Sequence, residues 1–238
     1  MLNSCINIFK KVKHMIFTTS QDIIEFNDQN IPLHIKKIGI KMSGGADSAI
    51  LCYMLAKYIK ECRPDITLYP ITAVSSTKPY NAIFAQRIIE KIQSLLNFEF
   101  GQHWIRPVES GNSQAYMAGQ EAFINELYQN QIIHIHFSGI TAIATPADAP
   151  ELHDPILGGP VDDRSKGTHK KPRHGIRWQK PLINVDKKAV FELYRDLGVL
   201  DELFPLTRSC EAHTTDFSQH CEQCWFCKER FWAFNRYT

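Results

Sequence analysis

Apolar and polar positions alternate with two different periods along most of the chain. Short apolar runs with strand character occupy residues 38–42, 66–74, 98–108 and 132–137. Segments with apolar residues at helical spacing follow the first three runs and occupy residues 46–62, 82–96 and 115–128. Strands that alternate with helices of this length predict βαβ units and a parallel sheet. We therefore expect an α/β fold with a Rossmann-like parallel sheet.

The regular pattern is interrupted at both ends and once inside the chain. We expect an N-terminal helical arm over 1–36, an α/β nucleotide-binding domain over 37–198 and a small helical lobe over 199–238. Within the central domain, residues 139–175 form a long irregular loop that is rich in proline. Regular structure resumes with Asp186 as the expected N-cap of a further helix.

Composition limits the classes of function. The chain has 238 residues, 44% of them apolar, and a formal net charge of +2, which gives no general argument for nucleic-acid binding. No run reaches the roughly 18 apolar residues of a membrane span. The segment Met1–Phe17 lacks the apolar core of a signal peptide, so we expect a cytoplasmic protein without membrane contact.

The turn between the first predicted strand and helix carries the clearest chemistry. It reads Ser43-Gly44-Gly45-Ala46-Asp47-Ser48. Unpaired backbone N–H groups and the positive end of a helix dipole favour an anion at such a place, and the serine hydroxyls add donors. The sequence therefore predicts a phosphate cradle. The structural alternative is a turn whose glycines serve geometry and whose serine or aspartate caps the helix.

Four of the seven cysteines lie near the C-terminus as Cys210, Cys221, Cys224 and Cys227. Four thiolates at these spacings can close a tetrahedral structural Zn²⁺ site. An iron–sulfur cluster is the main alternative metal group, because C-x2-C-x2-C also begins the ferredoxin pattern. Disulfides are disfavoured for a cytoplasmic chain. His134 and His136 share one face of a predicted strand, and we expect hydrogen-bonded core histidines there rather than metal ligands.

The turn resembles the SGGxDS signature of the PP-loop ATP pyrophosphatases, and the two motifs together resemble the 7-cyano-7-deazaguanine synthase family. Further similarity lies in Phe137-Ser138-Gly139-Ile140, in Asp186-Lys187, in Ser209-Cys210 and in Arg230 after the last cysteine. The resemblance covers about residues 38–60 and 176–232. Between them the family's Pro-Gly-Arg-Asn segment has only Glu109–Asn112 as a counterpart, and the family's substrate loop is replaced by Thr141–Gly175.

The resemblance implies an ATP-dependent ligase that converts a carboxylate with ammonia to a nitrile, as in 7-carboxy-7-deazaguanine to 7-cyano-7-deazaguanine, through adenylation and release of pyrophosphate. It implies catalytic roles for Ser43, Asp47 and Ser48, with Asp47 holding Mg²⁺ or capping the helix. The implied nucleotide-binding residues are Met42, Ser43, Gly44, Gly45, Ala46, Asp47, Ser48, Ala49, Ile50, Leu51, Cys52 and Gly139. Lys41 and Lys180 are further candidates for phosphate contact, and the resemblance suggests a homodimer.

The sequence leaves other functions open. A PP-loop enzyme acting on tRNA, either a thiolase or a lysidine-type ligase, would use the basic segment 164–177 for RNA, although only Cys52 and Cys62 lie near the loop as reactive candidates. We favour a small-molecule partner over RNA. The same adenylation chemistry on a protein terminus or another partner, and a non-catalytic nucleotide-binding scaffold, are the remaining alternatives.

Overall fold

The computed structural model describes residues 14–75, 79–109, 112–157, 177–211, 217 and 219–238. The strands are β1 (Met15–Thr18), β2 (Ile23–Phe26), β3 (Lys37–Lys41), β4 (Thr67–Ser75), β5 (Trp104–Val108), β6 (Ile135–Phe137) and β7 (Trp178–Gln179). The α-helices are α1 (Ala46–Cys62), α2 (Asn81–Leu96), α3 (Ser113–Gln129), α4 (Lys187–Asp196), α5 (Leu200–Leu203) and α6 (Trp225–Phe234). Single 3₁₀ turns occupy Pro150–His153, Pro155–Leu157 and Phe204–Leu206.

A five-stranded sheet forms the centre of the molecule. Its strand order is β5-β4-β3-β6-β7, and all neighbouring pairs are parallel. The expected α/β fold with a parallel sheet is therefore confirmed. Strand β7 was not anticipated because it contains only two residues and directly follows the irregular segment. Residues at the carboxyl ends of β3 and β6 meet at one edge of the sheet, which is where ligands bind in such folds.

The helical arm expected over 1–36 is wrong for the residues that the structure describes. Residues 14–36 contain no helix; β1 and β2 instead form an antiparallel hairpin, with Met15 opposite Phe26 and Thr18 opposite Ile23. Ile24 and Phe26 are buried while Ile23 and Glu25 are exposed, which is the two-residue period of a half-buried strand. Residues 1–13 lie outside the described part.

Helix α1 lies in the middle of the core. Its residues are buried on nearly all sides, which is typical of a helix enclosed by other elements rather than one on the surface. It contacts β3, α2 and α4. Its first turn therefore has a fixed position relative to the sheet. No helix among the described residues has the length and apolar character that crossing a membrane requires.

The C-terminal elements share the core of the sheet domain. Phe204 stacks on Phe234 with ring centroids 4.0 Å apart, and both rings contact Tyr194 of α4. Part of the expected irregular loop is also packed here, because Trp225 Nε1 donates to the carbonyl oxygen of Leu152 at 2.8 Å. Residues 158–176, including most of the basic segment 164–177, lie outside the described residues.

Candidate functional site

The loop between β3 and α1 has the geometry of an open turn with donors on its inner side. Gly44 has a φ of +79°, and a Cβ atom there would lie 2.7 Å from Cβ of Phe84, so only glycine fits without strain. The hydroxyls of Ser43 and Ser48 lie 3.2 Å apart, and Ser48 Oγ donates to the carbonyl oxygen of Gly45 at 3.0 Å. Two hydroxyls and the first turn of α1 thus share one small space.

Gly139 fixes the other side of this turn. It follows β6, and a Cβ atom at this position would lie 2.8 Å from the carbonyl carbon of Asp47 and 2.8 Å from the amide nitrogen of Ser48. These are backbone atoms, so the overlap cannot be relieved by rotating a side chain. The resemblance placed Gly139 at the nucleotide site, and its physical role in this structure is to let the β6 segment lie directly against the first turn of α1.

A cavity of about 200 Å³ opens beside the loop. It is lined by Lys41, Met42, Ser43, Asp47, Ser48, Ile71, Ala73, Tyr116, Gln120, Phe123, Ile124, Ser138, Gly139 and Ile140. Five of the expected nucleotide-binding residues therefore reach it, and α3 supplies an aromatic and aliphatic wall. The side chains of Ala49, Ile50, Leu51 and Cys52 are instead fully buried in the hydrophobic core and do not line this cavity.

Asp47 is held by a buried lysine from a distant helix. Lys187 Nζ of α4 lies 2.5 Å from Asp47 Oδ2 and 3.3 Å from Glu229 Oε2 of α6. Lys187 and Glu229 are almost completely buried, whereas Asp47 is partly exposed. Asp47 Oδ1 is buried without a hydrogen-bond partner among the described residues. An unsatisfied carboxylate oxygen of this kind suits an oxygen-binding cation such as Mg²⁺.

The four C-terminal cysteines converge. The sulfur atoms of Cys210, Cys221, Cys224 and Cys227 all lie within 4.8 Å of one another. The amide of Cys221 donates to Cys210 Sγ at 3.4 Å, and the amide of Cys224 donates to Cys221 Sγ at 3.3 Å. Backbone N–H groups that point at sulfur stabilise thiolates, which are the form that binds metal. The cluster can therefore hold a metal ion.

Hydrogen bonding within the cluster separates the proton affinities of two of its thiols. A hydrogen bond with Cys227 lowers the pKa of Cys224 to about 4 against the opposing effect of burial, and backbone N–H groups lower it further. The same bond with Cys224, together with burial, raises the pKa of Cys227. His220 lies 3.8 Å from Cys227 Sγ through Nδ1, and burial lowers its pKa to about 4, so it is a neutral neighbour of the four thiols.

Two arginines join the cysteine segment to the loop and to the core. The amide of Arg208 donates to the carbonyl oxygen of Gly44 at 2.8 Å. Arg230 is fully buried; it donates to Thr207 Oγ1 at 2.8 Å and to the carbonyl oxygen of Phe204 at 3.1 Å. Arg230 therefore fixes the segment before Cys210, a role that its position after Cys227 did not reveal.

A basic and aromatic group lies beside the cavity; the sequence indicated its lysines, Lys41 and Lys180, but not Trp178. Lys180 Nζ lies 3.6 Å from the centroid of the Trp178 ring, and Lys41 Nζ lies 5.9 Å from the same ring. His136 stacks on this indole with centroids 5.6 Å apart. Trp178 Nε1 donates to Ser138 Oγ at 2.8 Å, which fixes the ring beside the cavity wall.

Structural contacts account for the remaining candidates for a chemical role, which are two histidines and one cysteine. His136 Nδ1 lies 2.6 Å from the hydroxyl of Tyr128, and His134 Nδ1 accepts from the amide of Lys36 at 3.3 Å, so the expectation of hydrogen-bonded histidines is confirmed. Burial, and then the charges of Lys41 and Lys180, lower the pKa of His136 to about 3. Cys52 is fully buried, and burial raises the pKa of its thiol, so it is a poor nucleophile.

Comparison with known families identifies the C-terminal part of the chain. Residues 165–238 match the family model described as "Queuosine biosynthesis protein QueC". This match includes the cysteine motif and supports the resemblance to that family over this part of the chain. The comparison with curated proteins gives no match.

Two solved structures are similar to the chain. One is the U34-tRNA thiolase NcsA from Methanococcus maripaludis with its [4Fe-4S] cluster, at 15% identity and a TM-score of 0.45, covering 82% of this chain and 64% of the thiolase. The other is NAD+ synthetase from Burkholderia pseudomallei, at 11% identity and a TM-score of 0.44, covering 88% of this chain and 78% of the synthetase. The chain thus spans 64% of the length of the thiolase chain.

Proposed function

We propose that the protein is an ATP-dependent ligase of the PP-loop type that adenylates a carboxylate and converts it with ammonia to a nitrile. The proposed substrate is 7-carboxy-7-deazaguanine and the product is 7-cyano-7-deazaguanine. The observation that carries the proposal is that direct contacts join the loop motif to the segment that carries the cysteine motif. The Ser43–Ser48 loop accepts a hydrogen bond from Arg208, and Lys187 bridges Asp47 to Glu229 on the helix that contains Cys227.

In this reaction a carboxylate oxygen of the substrate attacks the α-phosphorus of ATP, and the bond to the bridging oxygen of pyrophosphate breaks. The loop supports the departing pyrophosphate through the hydroxyls of Ser43 and Ser48 and the N–H groups at the start of α1. Mg²⁺, when bound, neutralises phosphate charge, and Asp47 Oδ1 is the oxygen that would hold it. Lys187 keeps that carboxylate oriented through the opposite oxygen.

Ammonia then displaces AMP from the acyl adenylate and leaves an amide. A second ATP activates the amide oxygen in the same way, and loss of AMP with the remaining N–H protons gives the nitrile. The apolar wall of Ile71, Phe123 and Ile124 excludes water from one side of the cavity, which protects an adenylate from hydrolysis.

For the cysteine cluster we propose a single structural Zn²⁺. Zn–S bonds of about 2.3 Å in a tetrahedron place sulfur atoms roughly 3.8 Å apart. Cys221 Sγ and Cys227 Sγ lie 3.9 Å apart, and no pair exceeds 4.8 Å. A four-iron cluster binds each thiolate to a different iron and holds the sulfurs farther apart. The spacing therefore supports one ion with four ligands.

The test incubates the full chain with ATP, Mg²⁺, ammonia and 7-carboxy-7-deazaguanine and measures AMP, pyrophosphate and the nitrile by mass spectrometry. Asp47→Asn should lower AMP formation by about 100-fold or more, because it removes a charged group at the phosphates. Asp196→Asn is the matched control, since this exposed carboxylate pairs only with its neighbour Arg195 among the contacts described. Formation of AMP without the nitrile would support activation by ATP and reject 7-carboxy-7-deazaguanine as the substrate. If no AMP forms with any acceptor tested, the proposed function is rejected.

A tRNA thiolase is the competing enzyme class. The positions of its two candidate nucleophiles, Cys52 and Cys62, do not favour it. Cys52 has no access to the cavity, and Cys62 lies at the far end of α1 with its sulfur 3.9 Å from the carbonyl oxygen of His14. The four converging cysteines are occupied if they bind metal. Titration with tRNA at several salt concentrations separates the classes, because phosphate contacts give a steep salt dependence.

A further inference from the structure

The first half of the phosphate loop contacts the chain that leads into the cysteine cluster. The amide of Arg208 donates to the carbonyl oxygen of Gly44 at 2.8 Å. A Cβ atom on Gly45 would lie 3.7 Å from the carbonyl oxygen of Arg208. Two positions further on, Cys210 supplies one of the four sulfur atoms. The backbone that contacts the loop is therefore continuous with the backbone that positions a cysteine ligand.

A tyrosine directly before α2 joins the same two regions. The hydroxyl of Tyr80 donates to the carbonyl oxygen of Cys210 at 2.7 Å in a buried position. The Tyr80 ring packs edge-on against Phe84 with ring centroids 6.2 Å apart, and Phe84 is the residue that leaves no room for a side chain at Gly44. Because close-packed side chains transmit displacements, a shift of Cys210 would reach Gly44 through this contact as well as along the chain.

The second half of the loop contacts the helix that carries Cys227. Lys187 pairs with Asp47 in the loop and with Glu229, which lies two positions after Cys227 in α6. The side chains of Lys187 and Glu229 are 5% and 4% exposed, so solvent screens their ion pair little. Both halves of the loop thus contact segments that carry cysteine ligands.

We infer that metal binding by the cysteine cluster and pyrophosphate binding by the Ser43–Ser48 loop are coupled. A metal ion that fixes Cys210 and Cys227 would also fix the loop contacts at Gly44 and Asp47, so the loop loses less conformational freedom when a ligand arrives. The inference rests on the proposed function for the phosphate role of the loop and for the metal role of the cysteines. It adds that the metal contributes to ligand affinity, beyond supporting the fold.

Coupling between two binding sites is reciprocal at equilibrium. If the metal raises the affinity of the loop for pyrophosphate, then pyrophosphate raises the affinity of the cysteines for the metal by the same factor. Tyr80 and Lys187 are positioning residues in this scheme, because each contacts a motif and neither is proposed to contact the ligand. A side chain that only stabilises the fold would leave the coupling factor unchanged when it is replaced.

The test measures the Zn²⁺ affinity of the full chain by equilibrium competition with a chelator of known affinity, with and without saturating magnesium pyrophosphate. Isothermal titration calorimetry of pyrophosphate on the zinc-loaded protein establishes saturation for each variant. In the wild type, pyrophosphate should raise the Zn²⁺ affinity by about fivefold or more. Tyr80→Phe and Lys187→Met each remove one contact between the two regions, and each should reduce that factor by about twofold or more.

Two control variants lose contacts that do not join the two motifs. Tyr128→Phe removes a hydroxyl that donates to the carbonyl oxygen of Arg177, and Lys188→Met removes an ammonium group that lies over the Trp232 ring. Both controls should keep the wild-type factor. They also correct for Zn²⁺ that pyrophosphate binds in solution, because that effect is the same for every variant.

The outcomes separate this inference from the proposed function. Pyrophosphate binding without any change in Zn²⁺ affinity in the wild type would overturn the coupling and leave the proposed function standing. Equal factors in Tyr80→Phe, Lys187→Met and the wild type would also overturn it, and so would a protein that binds no Zn²⁺. No pyrophosphate binding to the wild type would overturn both the coupling and the phosphate role of the loop. Coupling in a protein that forms no AMP would support this inference and reject the proposed reaction.

Discussion

The phosphate loop and the cysteine cluster are built in opposite ways. The loop is fixed by two glycines that leave no room for a side chain: Gly44 lies against Cβ of Phe84, and Gly139 lies against the backbone of Asp47 and Ser48. The cluster is built from four side chains, whose sulfur atoms lie within 4.8 Å of one another and could hold a metal ion. The loop therefore depends on positions without a side chain, and the cluster depends on sulfur atoms that could bind a metal ion. Lys187 connects the two through Asp47 and Glu229.

Disrupting the cysteine cluster should have the largest effect on stability. Cys224→Ser, or removal of metal with a strong chelator, should destabilise the C-terminal lobe by about 5 kcal/mol or more, because metal binding to four thiolates contributes directly to folding. Denaturant unfolding and metal analysis of the purified protein measure this. Cys62→Ser is the control, since its thiol lies outside the cluster. Equal stability of both variants and of the metal-free protein would contradict a metal-dependent lobe.

Removing the lysine that connects the two regions should have the next largest effect on stability. Lys187→Met leaves Asp47 and the buried Glu229 without their shared cation, and we expect a loss of about 3 kcal/mol in the free energy of unfolding. It should also lower AMP formation, because Asp47 is no longer held. Lys188→Met is the control on the same helix, with an exposed ammonium group over the Trp232 ring. If both variants unfold alike, the bridge does not contribute to stability.

The close packing around the loop is tested by adding one methyl group at Gly139. Gly139→Ala should destabilise by about 1–3 kcal/mol and weaken ATP binding, because the new Cβ overlaps backbone atoms of the first turn of α1. Gly198→Ala is a control of another kind: its φ is +67° but no atom lies within 4 Å of the added Cβ, so it should cost stability and leave ATP affinity intact. ATP affinity that is unchanged in Gly139→Ala would separate this contact from the site.

The last effect is no larger than that of Gly139→Ala, concerns Lys41 and has the opposite sign. Its pKa of about 8 in the folded protein is below the ordinary value of 10.5, so the folded state binds this proton less tightly than the unfolded chain. The resulting penalty is full below pH 8 and disappears as pH rises toward 10.5. Lys41→Met should therefore stabilise the protein by about 1–3 kcal/mol at pH 7, with a smaller gain at pH 10. A destabilised variant at pH 7 would contradict this.

Local sequence patterns were sufficient to predict several parts of the structure. Helix α1 begins at Ala46 and ends at Cys62, as its apolar spacing indicated, and Asp186 caps α4 by accepting from the amides of Lys188 and Ala189. The hairpin of β1 and β2 was mistaken for helix, because Ile16–Phe17 and Ile23–Ile24 are pairs of adjacent apolar residues that hide the two-residue period. Strand β7 is too short to carry any period.

The sequence by itself determined the parallel α/β order, the loop at 43–48 and the four cysteines, because each depends on residue type at short, fixed spacing. Only the tertiary structure decided which groups meet. Lys187 is 140 positions from Asp47, and Trp178 reaches Ser138 across 40 positions. Contacts of this kind depend on how helices pack on the sheet, and no local pattern records that packing. The same packing brings Lys41 close enough to Lys180 for the charge of one to act on the other.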